Sequence, residues 1–181
     1  FLVEHPDMDL DLQELPSARI THALRQGAAD IGIVSDAVDT SDLQTRAFRD
    51  DPLVLILPLD HPLSDAVDVS FSEALHHDFV GLSANSALAI YLEEQALHNG
   101  ARMQVRIRAD GFDGVMRMVG RGAGLAIVPL AAVERAAPCG FKSVALNEPW
   151  ARRTLQLCAR DFGALPGYAK ALLDALTDAR F

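Results

Sequence analysis

The chain has 181 residues, half of them hydrophobic, which is enough to bury a core in one domain or two small lobes. Its formal net charge of -9 excludes, for this piece alone, the basic footprint that grips a phosphate backbone. Two cysteines, Cys139 and Cys158, form neither a disulfide framework nor a zinc spacing, and no apolar run approaches the ~20 residues of a membrane span.

The chain opens on "FLVEHPD", without methionine, which reads as the last turn of a helix stopped before Pro6 and points to a protein that continues upstream. "MDLDLQEL" alternates Met8, Leu10 and Leu12 with polar residues, the period of a strand. Pro16 and Ser17 start a helix with Ile20, Ala23 and Leu24 on one face and Gly27 as its stop, and "ADIGIVSD" follows as a short buried strand, giving a βαβ unit. A continuous apolar run, Leu53 to Leu57, leaves through Pro58 and Pro62.

"DFVGLSANSALAIYLEEQALHNG" reads as strand, polar turn and helix, and "QVRIRAD" as a strand alternating Val105 and Ile107 with Arg106 and Arg108. Then come a helix "FDGVMRMVGRG", a strand "LAIVP", a helix "LAAVERAA", strands "FKSVAL" and "TLQLCAR", and a closing helix "PGYAKALLDALTDA". The alternation predicts α/β architecture with mostly parallel sheets. The last strand and helix lack partners in the second block, so they are expected to return to the first. The expected lobes are 1–60 with 156–181, and 61–155, hinged across a cleft.

Gly120, Gly122 and Gly124 resemble a phosphate loop, but such a loop runs from strand to helix, whereas here the helix comes first. They are read as the turn that ends a helix, where left-handed glycine is favoured and the dipole repels anions. Better ligand candidates are the strand-to-helix turns. Ser83, Asn85 and Ser86 offer hydroxyls, an amide and free backbone N–H groups to a small anion, or serve as an ordinary cap. Gly111, Phe112 and Asp113 repeat the arrangement at the next helix start, with Phe112 an apolar wall or a packing staple. Val34, Ser35 and Asp36 close the first block's strand and are expected to face the cleft. The adjacent His76 and His77 cannot chelate as i, i+4 partners would, His61 lies in a turn, and no signature of a hydrolase or metalloprotease appears. No metal, no cofactor and no catalysis are expected.

"HPDMDLDLQE", "ALRQGAADIGIV", "LVLILPLDHPLS", "FDGVMRMVGRGAGLAIVP" and "LPGYAKALLDAL", in this order over essentially the whole chain, resemble the effector-binding domain of LysR-type transcriptional regulators. The resemblance implies two Rossmann-like lobes with a hinge, a fold like that of type II periplasmic binding proteins, with a small organic effector between them. It further implies a cytoplasmic homodimer or tetramer that meets DNA only through an N-terminal winged helix-turn-helix, and no membrane. The family's effector contacts map onto Val34 to Asp36, Ser83 to Ser86 and Gly111 to Asp113. No arginine falls within these stretches, which tells against a multiply charged effector. The rival reading is a periplasmic type II solute-binding protein, which predicts a signal peptide upstream instead.

Overall fold

The structure, a computed structural model, describes residues 1–137 and 140–178; Cys139 lies outside the described residues. The chain forms two compact units, Phe1–Arg49 with Thr154–Phe181, and Asp50–Arg153.

In the first unit, helix α1 (Ser17–Gln26) precedes strand β1 (Gly32–Ser35), and strands β2 (Gln44–Asp50) and β9 (Thr154–Ala159) complete a sheet in the order β1-β9-β2. β1 pairs with β9 antiparallel, Gly32 opposite Cys158 and Ser35 opposite Leu155. Because side chains alternate across a strand, β9 serves two cores. Cys158 joins Leu24 and Val34 under α1, while Leu157 and Ala159 pack on Leu173 and Ala169 of the closing helix α6 (Gly167–Asp178).

The second unit is a mixed sheet. Strands β3 (Leu53–Pro58), β4 (Asp68–Val69), β7 (Ala126–Pro129) and β8 (Phe141–Leu146) lie in the order β4-β8-β3-β7. β5 (Asp78–Leu82) and β6 (Gln104–Ala109) form a parallel pair joined to β7 at Phe79–Leu125, where the Val80 N–H donates to Leu125 O (2.7 Å) and the Leu125 N–H to Asp78 O (2.9 Å). All six residues of β3 are buried, as a strand covered on both faces requires. Leu53, Leu55 and Leu57 face Phe71, Phe79 and the helix α3 (Ala87–His98), whereas Val54 and Ile56 face Val115, Met116 and Val119 of α4 (Phe112–Val119). The short helices α2 (Phe71–Ala74) and α5 (Leu130–Arg135) complete the unit. No helix among the described residues is long and apolar enough to cross a membrane.

Four expectations are corrected. Residues 8–14 form no strand: nothing among the described residues pairs with them, Leu10 and Leu12 are 46% and 87% exposed, and an alternating pattern without a ladder partner does not make a strand. The first βαβ unit is therefore absent, since β1 follows α1 and pairs antiparallel with β9. The sheets are not mostly parallel, because β1–β9, β3–β7 and β3–β8 are antiparallel while β4–β8 and β5–β6 are parallel. Finally β3, expected in the lobe of residues 1–60, is the inner strand of the second unit's sheet, held between β8 and β7.

The glycine turn is structural, as its position after α4 suggested. The Ala123 N–H bonds to Met118 O (3.1 Å) and the Gly122 N–H to Val119 O (2.9 Å), a Schellman closure with Gly122 at φ 81°. Gly124, at φ 143°, runs so close to β5 that a Cβ would lie 2.5 Å from Asp78 O. Gly124→Ala is expected to destabilise the protein by about 2 kcal/mol or more through strain and loss of the Asp78–Leu125 bond, against about 1 kcal/mol for Gly122→Ala, where space is open; urea unfolding measures both.

In the Pro58–Ser64 turn, His61 Nδ1 accepts the Leu63 N–H (3.2 Å) and the ring meets His77 edge to face at 4.7 Å. Burial, then the His77 charge, pushes the His61 pKa down, with Asp60 opposing. The folded state thus resists a proton that the unfolded chain accepts near pH 6.5. This contribution to stability is full above that pH and is lost as pH falls below it. His61→Gln should flatten the pH dependence of the denaturant midpoint between about pH 7.5 and 5.5.

Candidate functional site

Parallel pairing sets Leu82 of β5 opposite Ala109 of β6, so the two strands end side by side and each runs into a helix. The carboxyl ends of parallel strands, followed by helix starts, are where open α/β sheets bind ligands. The turn after β5 is pinned to the turn after β6: the Ser83 N–H donates to Ala109 O (3.0 Å) and the Ser83 hydroxyl to Asp110 Oδ1 (2.7 Å).

Ser86 caps α3, its Oγ accepting the Ala89 N–H (3.2 Å) and its own N–H bonding Ser83 O (2.9 Å). Asn85, between these two serines, is exposed, and its amide makes no bond to protein among the described residues. Gly111 is the extended N-cap of α4, with open space where a Cβ would stand. Phe112 packs against both cores of the unit, so it is partly a staple, and Asp113 is exposed in the first turn of α4. The six second-unit candidates are thus brought together on two linked turns.

Val34, Ser35 and Asp36 belong to the first unit. Val34 (1% exposed) is core, packed with Leu24 and Cys158. Ser35 (8% exposed) organises the turn after β1: its N–H donates to Ser17 Oγ (3.1 Å), its hydroxyl donates to Asp36 Oδ1 (3.3 Å) and accepts the Ala37 N–H (3.3 Å). Of the three only Asp36 is exposed, and its own N–H is bound to Thr154 O (2.9 Å).

Sequence reasoning missed Asp110 and Ser17. Asp110 precedes the capping glycine, and only the register of β5 on β6 reveals that it takes the Ser83 hydroxyl. The sequence places Ser17 only at the start of a helix; Pro16 is the N-cap, and the Ser17 side chain serves β1. With Asp110 and Asp113 beside the helix starts, the turn carries two carboxylates and one uncommitted side-chain amide. Arg108 sits behind it, donating to Leu82 O (3.1 Å) and paired with Glu93 (3.4 Å). Such a site suits a neutral or weakly anionic, hydrogen-bonding ligand over a multiply charged anion. Among the described residues no three His, Cys, Asp or Glu side chains converge to hold a metal.

This is the build of a small-molecule-binding α/β unit. The chain belongs to the LysR substrate binding domain family, whose model matches residues 1–180. It is 24% identical over 180 residues to the Hca operon transcriptional activator HcaR of Escherichia coli (strain K12), covering 91% of this chain and 59% of that protein. Among solved structures, the Synechocystis PCC6803 CcmR regulatory domain in complex with 2-PG matches with a TM-score of 0.74 at 19% identity, covering 99% of this chain and 88% of that one. The BenM effector binding domain with its effector benzoate matches at 0.66 and 18%, covering 97% and 80%. These likenesses establish the type II periplasmic-binding-protein-like fold of LysR effector-binding domains. The chain spans about half the length of the curated relatives it matches, 59%, 42% and 44% of three of them. Those relatives are transcriptional regulators.

Asp110→Ala removes the acceptor that fixes Ser83. The loss of about 1 kcal/mol of local stability should speed amide exchange at Ser86 and Ala89 roughly fivefold without changing exchange in β3, as read by hydrogen–deuterium exchange.

Proposed function

We propose that this chain is the ligand-sensing domain of a LysR-type transcriptional regulator, and that a small organic effector, neutral or weakly anionic, controls DNA binding by an N-terminal winged helix-turn-helix. The observation that carries the reading is the pair of linked helix starts, Ser83–Ser86 and Asp110–Asp113, at the ends of adjacent parallel strands, in a chain of this family. Asn85, Ser86 and the first-turn amides of α3 supply hydrogen bonds and Phe112 an apolar surface. Of the first-unit candidates, Asp36 is the one exposed to a ligand, Val34 and Ser35 serving core and turn. The effector shifts the regulator between its states only by its differential affinity for them; about 1–3 kcal/mol of coupling suffices.

The regulator works in the cytoplasm as a homodimer or tetramer, as two-fold operators require, with α1 and α3 as interface elements. It needs no cofactor and performs no catalysis. HcaR and the other curated relatives are regulators, which favours this reading over a periplasmic solute-binding protein.

The test is a thermal-shift screen of small organic acids, benzoate and shikimate included, on the intact regulator, followed by titration of whichever compound raises the melting temperature. Asn85→Ala, which breaks no side-chain bond among the described residues, is expected to weaken binding about fivefold. Phe112→Ala should weaken it more, with basal DNA binding retained in both. Unchanged affinity in both variants would place the effector elsewhere.

A further inference from the structure

We propose that the first unit carries a second small-molecule site, distinct from the turns described above, that takes a zwitterionic aliphatic amino acid. Beyond the end of β9 and before β1 lies a recess of about 340 Å3 with Ala29, Leu165 and Pro166 as its apolar lining and Asp30, Arg160 and Asp161 as its charged groups. That volume is at the small end of ligand pockets and matches a molecule of amino-acid size.

Arg160 packs on a helix end and Asp161 is held by its turn. The Arg160 guanidinium lies against Gly27, its central carbon and both terminal nitrogens 3.2–3.3 Å from where a Cβ would stand, so a side chain there would push it aside by a few tenths of an ångström. Gly27 ends α1, and the negative end of that helix favours a cation in this position. Among the described residues, Arg160 makes no hydrogen bond or ion pair through its side chain, so its donor edges are free to bind a carboxylate. Asp161 is fixed by the Gly163 N–H on its Oδ1 (2.8 Å), and that turn is tied down by Lys170 on Gly163 O (2.7 Å) and by the Phe162 N–H on Gln44 Oε1 (2.8 Å).

The sign of the charges selects the ligand. A simple anion drawn to Arg160 meets Asp30 and Asp161, and it must also approach a chain of net charge -9. A simple cation meets Arg160. A zwitterion satisfies both signs at once, its carboxylate on Arg160 and its ammonium towards Asp30 and Asp161, and carries no net charge against the field. The lining of Ala29, Leu165 and Pro166 then receives an aliphatic side chain.

The site lies past the Gly32–Cys158 end of the β1–β9 pair, whereas Ser35 and Asp36 lie at the Leu155 end, with about 10 Å of strand between the two ends. The proposal does not rest on the effector reading.

It is tested on the 181-residue chain by amide NMR during titration with L-leucine, with 4-methylpentanoate and isoamylamine as analogues that lack the ammonium or the carboxylate. Leucine is expected to bind with Kd on the order of 1 mM and to shift the amides of 27–30 and 160–165 saturably, while neither analogue saturates. Arg160→Gln should weaken binding tenfold or more and Asp30→Asn at least threefold. Both residues are exposed, so unfolding midpoints are expected to match the wild type and certify the fold. Asn85→Ala should bind leucine as the wild type does. No saturable shift, equal response to either analogue, unchanged affinity in Arg160→Gln, or loss of the response in Asn85→Ala would each overturn the proposal; the last would move leucine to the turn of α3.

Discussion

The second unit depends on the contact between Phe79 and Leu125. Two hydrogen bonds there, Val80 N–H to Leu125 O and Leu125 N–H to Asp78 O, join the parallel pair β5–β6 to the largely antiparallel four strands beyond β7. Without that seam the strands that carry both helix starts would be a two-stranded ribbon, which is marginal in water. With it, Phe79 and Val80 point into opposite cores, α3 and α4 each find an apolar face, and their first turns are fixed side by side. The seam is possible because position 124 has no side chain, so the chain passes within contact distance of the β5 backbone. The glycine-rich span thus closes the sheet that carries the two helix starts and is not itself the start of a phosphate-binding helix.

A second constraint acts where the chain passes between units. It leaves the first unit after Arg49 and returns to it at Thr154. Just inside the second unit, the Asp51 N–H donates to Arg153 O (3.0 Å), the Arg153 Nε donates to Asp51 O (3.1 Å), and the two side chains form an ion pair only 13% and 16% exposed. Removing either partner would strand a poorly hydrated charge, so the pair is costly to break even where its net contribution is small. Arg153 also lies over the Tyr91 ring (6.0 Å), and Tyr91 donates to Trp150 O (3.3 Å). The two crossings are therefore bound to each other and, through Tyr91, to α3, the helix whose start carries Asn85 and Ser86.

What the sequence made legible follows from how local each signal is. The helix ends at Gly27 and Gly122 were readable because the Schellman closure uses only neighbouring residues. The buried run Leu53–Leu57 was readable as a strand, but its neighbours were not, since β7 and β8 come from residues 126–146 and their antiparallel sense is set by tertiary pairing. β2 was invisible: "QTRAFRD" is polar, exposed save for a half-buried Phe48, and is a strand only because β9 lies alongside. "MDLDLQEL" is the reverse case, a correct period with no partner. At the candidate site the caps were legible at Ser83 to Ser86 and Gly111, while the Ser83–Asp110 and Ser35–Ser17 bonds, which span 27 and 18 residues, were not.

These long-range bonds bear on selectivity more than the caps do. A hydroxyl already donating to a carboxylate at 2.7 Å cannot donate to a ligand without leaving Asp110 short of its partner. Ser83 therefore positions the turn, and in the proposed reading recognition falls to Asn85, the first-turn amides of α3 and the face of Phe112. Amides oriented by a helix start need no rearrangement on binding, so affinity is not spent on ordering them. The carboxylates of Asp110 and Asp113 then act against ligands with several negative charges, because each added charge meets two fixed ones of the same sign. On the proposed site, discrimination would arise as much from the repulsion those two aspartates supply as from the donors beside them.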